Sequence, residues 1–145
     1  MDTKTEGTKR KQLRGIPSVV PSKHHLNKLI IDTRHLLSGV IQVRDQMPRS
    51  QKDPSGLGTL ITQQSNRALY LAVLISNYAS RQNREALLRE LDTTLKHLKE
   101  LIITALERGY ITKRNTADNL AMKILAVSND VISYAKGLED KKKRS

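Results

Sequence analysis

Apolar residues recur along this chain at alternating intervals of three and four. That is the period of a helix that buries one face. The first run is Leu26, Leu29, Thr33, Leu36, Val40, Val43 and Met47, and Pro48 stops it. Ser22, directly after Pro21, is placed to cap its start. The second run is Leu57, Leu60, Gln64, Ala68, Leu71, Ile75 and Tyr78, with Gln64 as a polar break. Leu69, Val73 and Leu74 widen its apolar surface, which predicts the most buried of the helices. The third run is Leu88, Leu91, Leu95, Leu98, Ile102 and Ala105. The fourth is Ala117, Leu120, Ile124, Val127, Val131, Tyr134 and Leu138.

The connections between these runs carry turn chemistry. PRSQKDPSG, with Pro54 and Gly56, reads as a loop, and Gly56-Leu57-Gly58 sets the start of the second helix. Ser80 to Asn83 reads as a short turn, with Asn83 capping the third helix. Gly109 fits the left-handed position that ends a helix, and Tyr110 and Ile111 follow as a hydrophobic closure. Thr112 or Asn115 caps the fourth helix, and Gly137 lies near its end. No proline interrupts the four segments, and none alternates as a strand does. The expectation is all-α: an antiparallel up-down-up-down four-helix bundle over residues 21–138. Residues 1–20 form a basic flexible N-terminal tail and residues 139–145 a basic C-terminal tail, both expected to be disordered.

Composition narrows the chemistry. The 145 residues include no Cys, no Trp, no Phe and four Tyr. The absence of Cys rules out a disulfide scaffold, a zinc knuckle and a thiol nucleophile. Scarce aromatics argue against modules that stack bases on aromatic platforms. His24, His25 and His35 share the first helix, but the adjacent pair diverges by roughly 100° and cannot easily serve one metal. No HExxH or Glu-x-x-His pair is present, and Gly56-Leu57-Gly58 lacks the ending of a phosphate loop. The carboxylates of the third helix are explained by pairs four apart, Glu85 with Arg89 and Asp92 with Lys96. Asp118 suits the first turn of the fourth helix. The chain therefore reads as non-catalytic, with no cofactor and no metal.

Charge carries the stronger signal. Twenty-six Lys and Arg face fourteen Asp and Glu, for a net charge of +12. The two tails hold +3 and +2, which leaves +7 on the helical middle. In an antiparallel bundle one end gathers Lys9, Arg10, Lys11 and Arg14 of the tail with Lys23, Arg81, Arg84, Lys136, Lys141, Lys142, Lys143 and Arg144. The opposite end holds Arg49, Lys52, Arg108, Lys113 and Arg114. Such clusters suit phosphate contacts, which supply affinity without sequence readout. A surface that only keeps the protein soluble is the plainer alternative, and for any single lysine it is the better one. The tails lack an amphipathic Trp, Phe or Leu face, so a membrane is the least favoured polyanion. The N-terminus lacks the apolar run of a secretory signal, and Asp2 and Glu6 argue against a transit peptide. A cytoplasmic protein is expected. Ala121, Ala126, Ser128, Ser133 and Ala135 leave little bulk on the outside of the fourth helix, as a contact with another subunit would use.

The order of motifs resembles a known family. A first helix ending in Met47-Pro48-Arg49, the opening GLGTLI of the second and the run RELDTTLKHLKELIITALERGYIT carry the likeness, which covers about residues 36–138. These features resemble the small bundle proteins that include the accessory variability determinants of diversity-generating retroelements and the ribosomal-RNA intervening-sequence proteins. The resemblance implies a homopentameric, barrel-like assembly with a basic surface. It also implies binding to a reverse transcriptase and its template RNA, in support of cDNA synthesis for mutagenic retrohoming. Family members often end the fourth helix with a glycine-rich, tryptophan-containing segment. Here that stretch is VSNDVISYAKG, with Tyr134 its only aromatic. The competing expectation is an interaction bundle whose charge meets an acidic protein partner.

Overall fold

The computed structural model describes residues 25–77 and 80–144. These residues are almost wholly helical, and no strand occurs among them. The four helices are α1 (His25–Gln46), α2 (Leu57–Asn77), α3 (Arg81–Glu107) and α4 (Arg114–Arg144). A one-turn 3-10 helix, Arg49–Lys52, sits in the loop between α1 and α2. The predicted cap Ser22 and the two tail residues Met1 and Ser145 lie outside the described residues, as does all of the N-terminal tail.

The helices close a ring: α1 and α3 each pack on α2 and α4, while neither diagonal pair makes close backbone contact. Contacts across two of the seams run in opposite chain directions. Lys28 of α1 reaches Asp130 of α4, and Gly39 lies against Leu120 and Lys123. In the same way Arg67 of α2 meets Glu90 of α3, and Ile75 meets Arg84. The centre is filled by Leu29, Leu36, Val40, Ile61, Leu71, Ile75, Leu91, Leu95, Leu98, Leu120 and Val127, all nearly inaccessible. Each such leucine or isoleucine contributes about 1.5–3 kcal/mol by leaving water.

The predicted stripes of α1, α3 and α4 are the buried faces, with Tyr134 half-buried against the core. Leu26 and Tyr78 lie outside the residues whose side chains are described. Thr33 is fully buried within the α1 stripe because its hydroxyl donates to the Leu29 carbonyl four residues back. In α2 the pattern is rotated. Leu57, Leu60 and Gln64 are only half-buried, while Gly58, Ile61, Ser65, Ala68, Ala72 and Ser76 face inward. Leu69, Val73 and Leu74 are likewise half-buried. Ala68, Leu71 and Ile75 of the predicted stripe are buried as expected, so the pattern misses the inner face only in the first half of α2.

The loop glycines have a steric cause. A Cβ on Gly56 would stand 2.4 Å from the Gln51 carbonyl carbon and oxygen, and one on Gly58 would stand 2.7 Å from that oxygen. The Gln51 side-chain oxygen accepts from the Leu57 amide at 3.0 Å, serving one of the orphan donors at the start of α2. Thr59 Oγ1 donates to the Lys52 and Asp53 carbonyls. The expectation that these glycines set the start of the helix is met, through a loop folded onto the helix it precedes.

Four helix ends depart from expectation or meet it in detail. Ser80 caps α3, accepting from the Asn83 amide at 3.3 Å, so Asn83 is inside the helix and not its cap. The earlier of two capping residues prevails because helical backbone already begins at Arg81. Gly109 has a positive φ of 78°, and the Gly109 and Tyr110 amides donate back to the Leu106 and Ala105 carbonyls. This double bond pattern closes α3 as expected, and buried Ile111 seals it. The first bonds of α4 go to the Lys113 carbonyl, so α4 begins one residue before Asn115. Helix α4 also runs through Gly137 to Arg144, where an end near Gly137 was expected. Leu138 is buried, which ties the turn after Gly137 to the body.

Candidate nucleic-acid interface

Helix ends place the basic residues. Arg49, in the 3-10 turn, is exposed, and so are Arg108 at the end of α3 and Lys113 and Arg114 at the start of α4. Lys52 is exposed too, with its ammonium donating to the Asp45 carbonyl at 2.9 Å. That carbonyl lies in the last turn of α1, where a cation complements the helix dipole. These five residues lie in the two loops at one end of the ring.

The other end is less uniform. Arg84 is half-buried, and its Nε donates to the Ile75 carbonyl at 3.1 Å, joining the start of α3 to the last turn of α2. This arginine is therefore already engaged in holding the fold. Lys136 is exposed on α4. Arg81 and Lys141, Lys142, Lys143 and Arg144 are fixed as backbone positions at the start of α3 and the end of α4. Lys9, Arg10, Lys11, Arg14 and Lys23 lie outside the described residues.

Asp92 and Lys96 form the expected pair at 2.9 Å. Arg89 stands exposed between two surface grooves, one toward α2 and one toward α4. Arg67 of α2 reaches Glu90 at 3.1 Å.

The most developed polar cluster was not anticipated. Lys28 of α1 donates to Asp32 at 2.8 Å and to Asp130 of α4 at 3.0 Å. The Asp130 side chain is only 10% accessible, and its second oxygen Oδ2 has no conventional donor. Asp32 and Asp130 are drawn together by the one ammonium of Lys28, which bonds both. Burial pushes Asp130 up to about 6, the bond to Asp32 adds to this, and Lys28 opposes it. Burial also acts to raise Asp32, but its bonds to Asp130 and Lys28 outweigh that and hold it below its ordinary value. Those same bonds raise Lys28. Burial likewise raises the nearby Tyr134 phenol. The groups around the pair are Lys28 and His35 on α1, Tyr134 on α4, and Arg84 on α3 beyond Tyr134. Helical phase alone sets Asp130 at the edge of the α4 stripe, three residues after Val127. Its partner on α1 was beyond reach of any one-helix pattern.

Burial of Asp130 sets the sign of its linkage to folding. Asp130 binds its proton more tightly folded than unfolded, so it favours folding below its unfolded value. That contribution is lost as pH rises through about 6. Asp32 acts in the opposite sense, its contribution fading as pH falls below its ordinary range. Asp130→Asn cannot lose a proton. Its melting temperature relative to wild type is expected to rise between pH 5 and pH 8, by an amount worth about 1 kcal/mol after allowance for screening at this partly open seam. Thermal melts at the two pH values check this, and a pH-independent difference would show that burial does not raise Asp130.

Outside the core, α4 exposes Met122, Leu125 and Ile132, at 64%, 49% and 59%. Ser133 and Ala135 are exposed beside them, while Ala121, Ala126 and Ser128 are half-buried. The described residues contain no group of three His, Cys, Asp or Glu that could hold a metal ion. No helix among them is long and apolar enough to cross a membrane. Comparison with known proteins gave no family model, no characterised relative and no solved structure that matches this chain.

Proposed function

We propose that this protein is a non-catalytic nucleic-acid-binding accessory subunit of a retroelement reverse transcriptase. In this reading it is a cytoplasmic, antiparallel up-down-up-down four-helix bundle that binds template RNA and the polymerase and supports cDNA synthesis. The observation that carries it is charge: +12 on 145 residues, with Arg49, Lys52, Arg108, Lys113 and Arg114 exposed at one end of the helical body. The family likeness supplies the retroelement setting and a homopentamer. The uncovered Leu125 and Ile132 of α4 favour a subunit contact on that helix.

Scarce aromatics define the manner of binding, by phosphates and shape with little base stacking. A fluorescently labelled structured RNA, titrated at several salt concentrations, tests the proposal. With six or more phosphates neutralised, affinity should fall by about a thousandfold or more between 50 and 200 mM salt. An RNA left unbound at 50 mM salt would end this reading. A pull-down that yields an acidic protein and no nucleic acid would favour an interaction bundle in its place.

A further inference from the structure

A second basic feature lies away from the helix ends. A groove of about 460 Å³ runs along the seam of α1 and α4, and Asp32, His35, Ser38 and Gln42 of α1 and Asn119 and Lys123 of α4 line it. Lys123 is held there by shape. A methyl group on Gly39 would stand 3.1 Å from Lys123 Cδ and Cε and 3.2 Å from Leu120 Cδ2. The lysine stem thus lies across the bare backbone of α1, which only glycine offers at that height. The side chain is half-buried, and among the described residues it forms no ion pair.

We infer that this groove seats a phosphate group of bound RNA, with Lys123 as its fixed cation. The inference rests on the RNA-binding reading and adds a site that the basic ends do not contain. The neutral donors suit it: two side-chain amides, a hydroxyl and an imidazole line the same groove. Each can give a hydrogen bond to a phosphate oxygen. The one acid of the groove, Asp32, is occupied by Lys28 and Asp130, which lessens its repulsion of an anion. The groove is open along two helices, as a continuous backbone requires and an enclosed small-molecule pocket would not be. Lys123 has less rotamer freedom to lose than a fully exposed lysine, so its contact costs less ordering entropy.

The test compares wild type, Lys123→Met and Lys123→Arg in titrations with a labelled RNA hairpin across a salt series. Met keeps the stem that packs on Gly39 and removes the charge, and thermal melts of each variant establish that it is folded. Lys123→Met is expected to weaken binding about three- to tenfold at low salt and to lower the slope of log affinity against log salt by about one. Lys123→Arg should keep that slope. Wild-type binding with an unaltered Lys123→Met slope overturns the groove and leaves the proposed function intact. Wild-type protein that fails to bind RNA at all overturns the proposed function first. Loss of poly-glutamate binding in Lys123→Met, with RNA binding unchanged, would assign the groove to an acidic protein and also overturn the inference.

Discussion

Leu98→Ala is expected to lower stability by about 3–4 kcal/mol. Leu98 is fully buried on α3 and belongs to the cluster on which all four helices converge. Truncation removes the transfer free energy of the lost carbons and leaves a cavity that the ring cannot collapse to fill. Native domains have roughly 5–15 kcal/mol in hand, so one substitution removes a large share. The melting temperature should drop by about 10 °C, given roughly 2–4 °C per kcal/mol in larger domains and more in smaller ones. Leu125→Ala on α4 is the matched control. It makes the same chemical change at a site 49% exposed, and should change stability by less than about 0.5 kcal/mol. Chemical denaturation of the two variants separates them. Equal losses would mean that the inner face of the helices has been misassigned.

Gly56→Ala should cost about 3 kcal/mol, although it adds one methyl group. That methyl would meet the Gln51 carbonyl carbon and oxygen at 2.4 Å, and both belong to backbone that cannot rotate aside. Moving Gln51 away breaks its bond to the Leu57 amide and uncaps α2. The Gly56 amide also donates to the Asp53 carbonyl at 2.8 Å, so the whole turn shifts together. Gly137→Ala is the informative comparison, because a Cβ there meets nothing within 4 Å and α4 is helical at that point. That change should stabilise by about 0.5–1 kcal/mol through helix propensity and the unfolded chain. Denaturation midpoints of the two variants, moving in opposite directions, check both arguments. A neutral Gly56→Ala would show that the loop can open without loss.

The periodicity of leucine and valine revealed the helices and most of the core, because burial of one face is a property of each helix alone. It failed where small residues carried the contact. In α2 the inward face includes Gly58, Ser65, Ala72 and Ser76 beside Ile61, Ala68, Leu71 and Ile75, and the small members were missed. It failed again at Ser80, where two residues could each cap α3 and only the backbone decides. Charge counting located the exposed residues at the end formed by Arg49, Lys52, Arg108, Lys113 and Arg114. It could not tell that Arg84 is engaged by the Ile75 carbonyl, nor that Arg67 reaches Glu90 across the seam of α2 and α3. The Lys28, Asp32 and Asp130 cluster and the seat of Lys123 depend on which helices are neighbours. That information arises only when the ring closes.

The ring has one seam unlike the others. α1–α2, α2–α3 and α3–α4 each join helices that follow one another in the chain, across connections such as the glycine-locked loop and the Gly109 turn. The α1–α4 seam joins residues such as Lys28 and Asp130, 102 apart in sequence. Bringing such distant residues together costs the most chain entropy before any contact rewards it. Loop-closure entropy therefore predicts that the three local seams assemble first and that the polar latch of Lys28 with its two carboxylates closes last. A segment that joins late is absent from the folding transition state, so this latch governs how slowly the finished protein opens and has little influence on how fast it forms.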